Sequence, residues 1–453
     1  MKDNNRITEI ENWLDQNNIH DVEIVISDFA GISRGKIMPQ EKFIEGLRSG
    51  GHRMPESLFS LTINCDFVSS EYITDLEEDL YFIPDFDTIS IVPWRKIPTA
   101  CIICDLVKAN GEKTNSSPRQ VLRNVLSLYE TQGWKPIVAP EFEFFLLANQ
   151  DEVESPPIPP KGRSKKQMLD KGMLSLDGLD EFSDLFDDVY KYCEIMNISV
   201  NTLTQEAGPA QFEMNMHHGD PLKVADQAFY FKRLLKQTAI RHDVFASFMS
   251  KPYSEEFGSA MHVHQSVVGV SDGINVFADE DGDNTDLFHF HIGGLQKYIP
   301  ALMPLLAPYA NSYLRIGSSL SSPVNLHWGL ENRSVGLRVP EGGRAARRIE
   351  NRIAGADVNP YLMIAASLLS GYLGMVEKLE PSEALTASAY DLETLKLPQN
   401  FQSGLDNFTN SKKMREILSD EFVTTFADVK KKEYLANYSV LSSWEIRYLL
   451  TNV

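Results

Sequence analysis

The sequence predicts an α+β protein with a small N-terminal unit, residues 1–108, and a large C-terminal unit, residues 109–453. Segments that alternate apolar and polar residues, which indicate strands, are interspersed with segments of helical periodicity along the 453-residue chain. Hydrophobic residues make up 43% of the chain, enough for a large core, and the length favours two or three domains. The polar run 108–120 (KANGEKTNSSPRQ) marks the boundary between the units.

The N-terminal unit is predicted to be a small mixed fold. Helices are expected at 7–16 and 40–47, and strands at 22–28, 34–39, 89–92 and 100–106. The last strand contains a CIIC motif, Cys101 and Cys104. Because Cys65 and Cys193 lie far away in unlike contexts, we interpret this motif as part of a buried strand and not as a zinc site.

The C-terminal unit is expected to alternate helices with strands that carry polar faces. Helices are predicted at 118–129, 178–196 and 221–242, and strands at 137–147, around 211–217, at 258–266 and around 346–352. Between the first strand and the second helix lies a Pro-rich basic loop, 154–166, and the acidic loop 279–286 is interpreted as solvated. The candidate chemistry lies in this unit.

Charge and composition exclude several functional classes. The net charge is −20 and the pI is near 5.0, which argues against nucleic-acid and anionic-membrane partners. The charge fits a cationic substrate, although many proteins are acidic only for solubility. The start of the chain has no apolar h-region, and no run of 18 apolar residues occurs. With four cysteines, too few for a disulfide framework, we expect a cytoplasmic protein.

The segment 137–147 (IVAPEFEFFLL) carries the first candidate site. Read as a strand, it places Glu141 and Glu143 on one face and Phe142 and Phe144 on the other. The glutamate face is otherwise apolar. Two ionised carboxylates on such a face are unfavourable unless cations neutralise them, so the pair indicates either a metal site or the polar rim of a half-exposed strand.

Two further strands have the same polar-over-apolar pattern. In the first, Glu213 alternates with apolar neighbours, and Glu206 precedes the AGPA turn at the mouth of this strand. In the second, GSAMHVHQS, the side chains of His262, His264 and Ser266 share one face. A single histidine is usually structural, and two alternating histidines favour a ligand role more strongly.

Residues 315–352 form an anion-binding candidate. The stretch contains seven arginines and no lysine, although the chain as a whole is strongly acidic. Guanidinium groups bind carboxylate or phosphate oxygens in a planar, bidentate manner, which an ammonium group cannot do. In ARRIENR, Arg348, Glu350 and Arg352 share one face of a predicted strand. Glu350 is therefore either a member of a structural ion pair or a metal ligand beside bound phosphates.

Five carboxylates and one imidazole on predicted strand faces can bind two or three ions of the Mg²⁺ or Mn²⁺ class. Such a cluster next to many arginines is typical of a phosphoryl-transfer site. The sequence has neither a Walker-type glycine loop nor GxGxxG, so a nucleotide would be bound by metals and arginines. The candidate ligands are Glu141, Glu143, Glu206, Glu213, His262 and Glu350.

Six motifs in order resemble the glutamine synthetase family over nearly the whole chain. They are EFEFFLL, EAGPAQFE, GSAMHVHQS, NSYLRIG, ENRSVGLRVP and ARRIENRIAGADVNPYL. The resemblance implies an N-terminal β-grasp domain and a C-terminal catalytic domain built on an antiparallel sheet with flanking helices. It also implies a ring-shaped homo-oligomer, a hexamer or dodecamer, in which a neighbour's N-terminal domain completes each site.

The resemblance also implies a role for each candidate residue. One metal would be held by Glu143, Glu206 and Glu213, and the other by Glu141, His262 and Glu350. Arg315 and Gly258 would bind glutamate, with Arg352 near its reacting carboxylate. The ATP phosphates would be held by Arg333, Arg338 and Arg348, and the nucleotide would also contact His264 and Ser266. Arg333 would also take part in catalysis.

Three departures from the ammonia-using members concern the amine acceptor. Their flap glutamate, which helps to deprotonate ammonium, corresponds to Ser321, and an asparagine that contacts glutamate corresponds to Phe257. Their DGSS aspartate, contributed by the neighbouring subunit, corresponds to Glu56 in RMPESLFS. Deprotonating an ammonium group with a pKa near 10 at neutral pH costs about 4 kcal/mol, so the loss of a base matters. One alternative is that Glu331 or another acid replaces it.

Together with WGLENRS, NSYLRIG and SSWEIRYLL, these departures resemble the γ-glutamylpolyamine (glutamate–putrescine) ligase branch. That branch joins the γ-carboxylate of glutamate to a primary amine of putrescine or another polyamine, through a γ-glutamyl phosphate formed with ATP. The alternatives are glutamine synthesis from ammonia, ligation of a different alkylamine, and a non-catalytic homologue.

Overall fold

The computed structural model describes residues 4–150, 152, 155–169, 172–316 and 322–453. Up to residue 107 it contains a mixed sheet with two helices. The helices are α1 (Asn4–Gln16) and α2 (Gln40–Ser49). The strands are β1 (Asp21–Ser27), β2 (Ser33–Pro39), β3 (Arg53–Pro55), β4 (Asp79–Pro84), β5 (Ser90–Ile91) and β6 (Thr99–Val107).

The first sheet has the strand order β2-β1-β6-β4-β3, with β5 paired to β6. The β1–β6 pair is parallel and the other pairs are antiparallel. The central strand β6 is almost entirely buried because it is apolar on both faces, and Cys101 and Cys104 lie in it. The buried-strand interpretation of the CIIC motif is therefore confirmed.

From residue 118 onward, the chain builds a second sheet and covers it with helices. The helices are α3 (Pro118–Thr131), α4 (Leu176–Asp180), α5 (Ser183–Ile195), α6 (Pro221–Arg241), α7 (Asp286–Leu306), α8 (Ala310–Ile316), α9 (Pro360–Glu377), α10 (Phe401–Asn410), α11 (Lys412–Leu418), α12 (Asp420–Tyr438) and α13 (Ser443–Tyr448). The strands are β7 (Trp134–Ala148), β8 (Val200–Gln205), β9 (Gln211–Met216), β10 (Val244–Ser247), β11 (Met261–Gly269), β12 (Trp328–Leu330), β13 (Leu337–Val339) and β14 (Ile349–Asn351).

The second sheet has the order β12-β13-β14-β11-β7-β9-β8, with β10 paired to β7. The expected antiparallel sheet is found, with one exception, since β12 and β13 run parallel. The long strand β7 lies at its centre. On one face of β7, Phe142 and Phe144 are buried against aromatic rings that include Phe231 and Phe248. That core leaves the opposite face of the sheet for the glutamates.

A buried ion network joins the two parts of the molecule. Arg119, at the start of α3, is only 3% exposed. Its guanidinium donates two hydrogen bonds of 2.8 Å to Asp226 in α6. It also bonds to Asp105 of β6 at 2.8 Å and to Asp85 at 2.7 Å. Tyr361 of α9 donates to Asp226 at 2.7 Å, so helices of the second part and strand β6 of the first sheet meet around one guanidinium.

The predicted helix 178–196 is wrong in one respect, because the chain forms two helices, α4 and α5. The break falls at Glu181 and Phe182. The ring of Phe182 is buried against Phe212, and the Glu181 carboxylate accepts a hydrogen bond from the backbone of Ser164. These tertiary contacts outweigh the helical periodicity.

The unit boundary at 108/109 lies between β6 and α3, and its status as a domain boundary stays a prediction. In the described residues, no helix is both long and apolar enough to cross a membrane.

Candidate active site

Strand register brings the predicted ligands into one patch of the second sheet. Residues that face each other across antiparallel strands point to the same side of a sheet. Glu213 of β9 lies opposite Glu143 of β7, and His262 of β11 lies opposite Glu141. Glu350 of β14 lies opposite His264, two residues further along β11. Pairs from four neighbouring strands therefore converge on one face.

The ligand atoms form two overlapping groups. The groups are Glu141, Glu213 and His262, and Glu141, His264 and Glu350; within each group the ligand atoms lie within 4.8 Å of one another. Glu141 belongs to both. This grouping differs from the division implied by the resemblance, which places His262 and not His264 with Glu350. His262 Nδ1 is nevertheless only 3.7 Å from Glu350, so the division stays a prediction.

Glu143 and Glu206 lie beside these groups. Glu143 is 3.9 Å from His262 Nε2, and its carboxylate accepts a hydrogen bond of 2.8 Å from the backbone of Ala260. Glu206 follows the end of β8, where its charge interacts with those of Glu143 and of Arg352. All six predicted ligands therefore lie at one site.

The electrostatics of the cluster favour a bound cation. Burial and neighbouring carboxylates raise the pKa of Glu143, Glu206 and Glu213 above the ordinary carboxyl value. For Glu350, burial acts in the same direction, but Arg352, His262 and His264 outweigh it and lower the pKa to about 2. An oxygen-rich donor set with one or two imidazoles and surplus negative charge fits Mg²⁺ or Mn²⁺.

His262 is poised as a neutral ligand. Its side chain is buried, and burial lowers its pKa to about 4. A metal binds the neutral imidazole, so no proton has to be displaced from this ring at neutral pH. Glu141, in contrast, is ionised. Burial opposes its ionisation, but hydrogen bonds from His262 and His264 hold the pKa of Glu141 well below its ordinary range.

Two arginines hold Glu350. Arg338 Nη1 donates to one carboxylate oxygen at 2.6 Å, and Arg352 Nη1 donates to the other at 2.5 Å. Arg338 also donates to Glu331 at 2.8 Å. The structure therefore combines the two roles left open by the sequence, because Glu350 forms buried ion pairs and also belongs to a candidate metal group. Arg333 is exposed, and its charge reaches both Glu206 and Glu331.

Arg315 lies close enough to the cluster for its charge to act on Glu143. Its guanidinium is buried and donates to the carbonyl oxygens of Ile353 at 2.8 Å and Arg352 at 3.1 Å. Burial lowers the pKa of Arg315 to about 10, which leaves it charged at neutral pH. Gly258 packs directly against it, since a Cβ at this position would lie 2.7 Å from Arg315 Cγ. Gly258 and Arg315 are thus in contact.

A cavity of about 530 Å³ opens from the cluster, between β11 and the loop before β14. Glu141, His264, Ser266 and Arg348 all line it. Arg348 donates to His264 Nδ1 at 3.3 Å, while His264 Nε2 lies 2.9 Å from Glu141. Since Nδ1 accepts from the guanidinium, the ring proton of neutral His264 belongs on Nε2, which donates to Glu141. These residues can hold phosphate groups beside the carboxylates.

Two predicted residues lie outside this constellation, and a third is not among the described residues. Glu56 is buried in the first part of the chain, 3.7 Å from Lys108, and burial raises its pKa. Its predicted site belongs to a neighbouring subunit, so this role stays a prediction. Ser321 lies outside the described residues. Phe257 is half-buried next to Gly258.

Sequence reasoning gave no role to Asn215. Its side chain donates to Glu141 Oε1 at 2.8 Å and lines the cavity of about 530 Å³. The only sequence signal was its position on the polar face of β9, two residues from Glu213. The alternation placed it on the right face, but only strand register shows that it lies opposite Glu141.

The chain is similar to known proteins over nearly its whole length. Residues 115–449 match the family model described as glutamine synthetase, catalytic domain. The chain is 33% identical to a glutamate–isopropylamine ligase from Pseudomonas sp, over 98% of each protein. It is 31% identical to the gamma-glutamylputrescine synthetase PuuA of Escherichia coli strain K12, over 98% of this chain and 94% of that protein. A solved structure described as apo GmaS without ligand superposes with a TM-score of 0.84 at 25% identity, covering 97% of this chain and 98% of that one.

Proposed function

This chain belongs to the glutamine synthetase family, and on that basis we propose that it joins the γ-carboxylate of L-glutamate to a primary amine of putrescine or another polyamine. The protein is an enzyme, an ATP-dependent ligase with the mixed α and β fold expected from the sequence. The assignment of its site rests on one observation: five carboxylates and His262 converge beside the guanidinium groups of Arg338 and Arg352.

The proposed reaction has two steps. An oxygen of the glutamate γ-carboxylate attacks the γ-phosphorus of ATP, and the bond to ADP breaks to give γ-glutamyl phosphate. The amine nitrogen then attacks the γ-carbonyl carbon, phosphate leaves, and the amine loses a proton. Divalent ions held by the carboxylates and His262 would neutralise the nucleotide phosphates. Two or three such ions per site is part of the proposal.

Chain residues supply the binding and charge stabilisation. Arg315, positioned by Gly258, would bind the glutamate substrate, and Arg352 would face its reacting carboxylate.

Arg348, Arg338 and Arg333 would hold the ATP phosphates, with His264 and Ser266 lining the nucleotide cavity. Because hydrogen bonds fix the guanidinium groups of Arg338, Arg348 and Arg352 before substrate binds, these groups would stabilise developing negative charge with little reorganisation.

The acceptor assignment rests on the residues that ammonia-using members need. Ser321 lacks a base, and Glu331 is a poor substitute, because its carboxylate accepts hydrogen bonds from Arg338 and from the backbone of Glu341. Arg338 accordingly lowers the pKa of Glu331. A net charge of −20 attracts a cationic polyamine over long range. An alkylamine such as isopropylamine is the second candidate, since a ligase of that name is 33% identical to this chain.

Glu56 is proposed to complete the amine site of a neighbouring subunit. We propose that residues 1–108 form a separate domain, and that subunits assemble into a hexameric or dodecameric ring in which this domain reaches the next catalytic sheet. In its own chain Glu56 lies 3.7 Å from Lys108 and belongs to neither group of candidate metal ligands, which leaves it for a role in another subunit.

Initial rates of ADP release test the acceptor. The assay contains ATP, Mg²⁺ and glutamate with ammonium, putrescine, spermidine or isopropylamine in turn. We expect kcat/KM for a polyamine to exceed that for ammonium by about tenfold or more. Equal or better activity with ammonium would make the enzyme a glutamine synthetase, and a preference for isopropylamine would favour the alkylamine candidate. If no ADP is released with any of these amines, the result would favour a non-catalytic homologue.

A further inference from the structure

Asn215 holds Glu141 from the neighbouring strand. The two residues face each other across β9 and β7, and Asn215 Nδ2 donates to Glu141 Oε1 at 2.8 Å. His264 Nε2 lies 2.9 Å from the same oxygen. One carboxylate oxygen thus receives two hydrogen bonds, while Glu141 Oε2 is left facing His262 Nδ1 at 3.4 Å.

The other end of the Asn215 amide has no partner. Its Oδ1 is a buried oxygen that makes no hydrogen bond to any residue the structure describes. A buried acceptor without a donor is unfavourable and uncommon in folded proteins. The reversed amide orientation offers no escape, because it would place Oδ1 against the carboxylate of Glu141.

The position of Asn215 identifies the missing donor. The residue lines the cavity of about 530 Å³ together with Glu141 and His264, at the end where the carboxylates cluster. A divalent ion has no hydrogen to donate, but Mg²⁺ and Mn²⁺ keep several bound waters when protein carboxylates hold them. A water on an ion bound to Glu141 can donate to an oxygen beside that carboxylate.

We propose that Asn215 is a positioning residue for the divalent ion: its amide nitrogen orients Glu141, and its amide oxygen accepts a hydrogen bond from a water bound to the ion. This inference rests on the metal role of Glu141 in the proposed function. It adds Asn215 as a residue that does not touch the ion and acts on it only through Glu141 and a bound water. Outer partners of this kind typically change metal affinity by about 10–100-fold when removed.

Mn²⁺ binding in the absence of nucleotide tests the proposal. The free-ion signal in electron paramagnetic resonance gives the affinity of the full-length enzyme and its variants. Asn215→Leu keeps the volume but removes both the donor and the acceptor, and we expect its Mn²⁺ affinity to fall about tenfold or more. Asn215→Ala removes the same donor and acceptor in a smaller side chain, and we expect a similar loss of Mn²⁺ affinity.

Asn201→Leu is the matched control, because Asn201 lines the same cavity and makes no hydrogen bond to Glu141 in the described structure. Its Mn²⁺ affinity should equal that of the wild type. Thermal melting of each variant reports folding, and Asn215→Ala still tests the proposal if Asn215→Leu does not fold: a Mn²⁺ affinity equal to that of the wild type in folded Asn215→Ala overturns it.

Two other outcomes overturn the inference. One is wild-type Mn²⁺ affinity in a folded Asn215→Leu variant. The other is an unchanged Mn²⁺ affinity with a raised KM for ATP, which would assign Asn215 to the nucleotide itself. If the wild-type enzyme does not bind Mn²⁺ at all, the metal assignment in the proposed function fails as well, so the two failures are distinguishable.

Discussion

Arg338 and Glu350 face each other across β13 and β14, and an Nη1–Oε2 distance of 2.6 Å joins them at the edge of the carboxylate cluster. The other oxygen of Glu350 belongs to Arg352. Glu350 is only 1% exposed, so both ion pairs are formed away from bulk water. The arginines that would stabilise phosphate charge and the carboxylate that would hold a metal are therefore parts of one unit.

Glu350→Gln should lower kcat/KM by about a thousandfold or more, because it removes a metal ligand and frees two arginines from their anchor. The amide keeps the shape and one acceptor, so we expect the protein to remain folded. Steady-state kinetics and a thermal melt measure the two effects.

Glu377→Gln is the control, because Glu377 pairs with Lys297 and Tyr298 on the surface of α9. It should retain wild-type turnover. Undiminished activity in Glu350→Gln would show that the metal assignment is wrong.

The metal-free enzyme should lose stability as the pH rises. Burial, the largest influence, and nearby carboxylates raise the pKa of Glu143 to about 8 and that of Glu213 to about 9. Between the ordinary carboxyl pKa and these values the folded state binds more protons than the unfolded state, so the free energy of unfolding falls with increasing pH. Divalent ions replace the protons, and Mg²⁺ should therefore stabilise more at high pH than at low pH.

Thermal midpoints with EDTA and with Mg²⁺, at about pH 5.5 and about pH 8.5, measure this dependence. Glu213→Gln should flatten it, since the neutral amide cannot titrate. A Mg²⁺ stabilisation that is equal at both pH values would contradict the prediction.

Arg119→Met should lower the free energy of unfolding by about 3–5 kcal/mol, since it leaves the buried carboxylate of Asp226 without its charged partner. Chemical denaturation, followed by fluorescence at fixed protein concentration, measures the change. Lys42→Met removes an exposed pair with Glu45 and should leave the free energy of unfolding unchanged within the error of the measurement. Similar effects of the two substitutions would mean that the Arg119 network does not stabilise the joint between the two parts.

Ser321→Glu should raise kcat/KM for ammonium by about tenfold or more, because it places a carboxylate at the position that the family resemblance assigns to the flap glutamate of ammonia-using members. Activity with putrescine serves as the internal reference. Ser321→Gln has the same length without the charge and should leave ammonium activity at the wild-type level. A gain shared by both variants would point to loop shape and not to proton removal.

The sequence predicted the faces of the catalytic strands correctly, because period-two alternation can be recognised in each strand by itself. Glu141, Glu143 and His262 were therefore expected to point into one site. Alternation does not specify which residues face each other across strands. For that reason the pairing of His264 with Glu350, and the contact between Asn215 and Glu141, became visible only in the fold.

Other features were lost for different physical reasons. The break between α4 and α5 depends on the burial of Phe182 against Phe212, a long-range contact that local periodicity does not record. The short strand β13 places Arg338 opposite Glu350, but a three-residue segment is too short to show a period. The family resemblance indicated a site role for Arg338 where periodicity did not.

The two donors on Glu141 Oε1 have a consequence for how fast and how selectively a cation is taken up. Because two hydrogen bonds fix the Glu141 carboxylate, it cannot rotate to fit ions of different size. The site is therefore preorganised and selects cations by ionic radius. Small hexacoordinate ions should bind without rearranging the protein, whereas Ca²⁺, with its longer metal–oxygen bonds, would first have to break the hydrogen bonds that Asn215 and His264 make to Glu141.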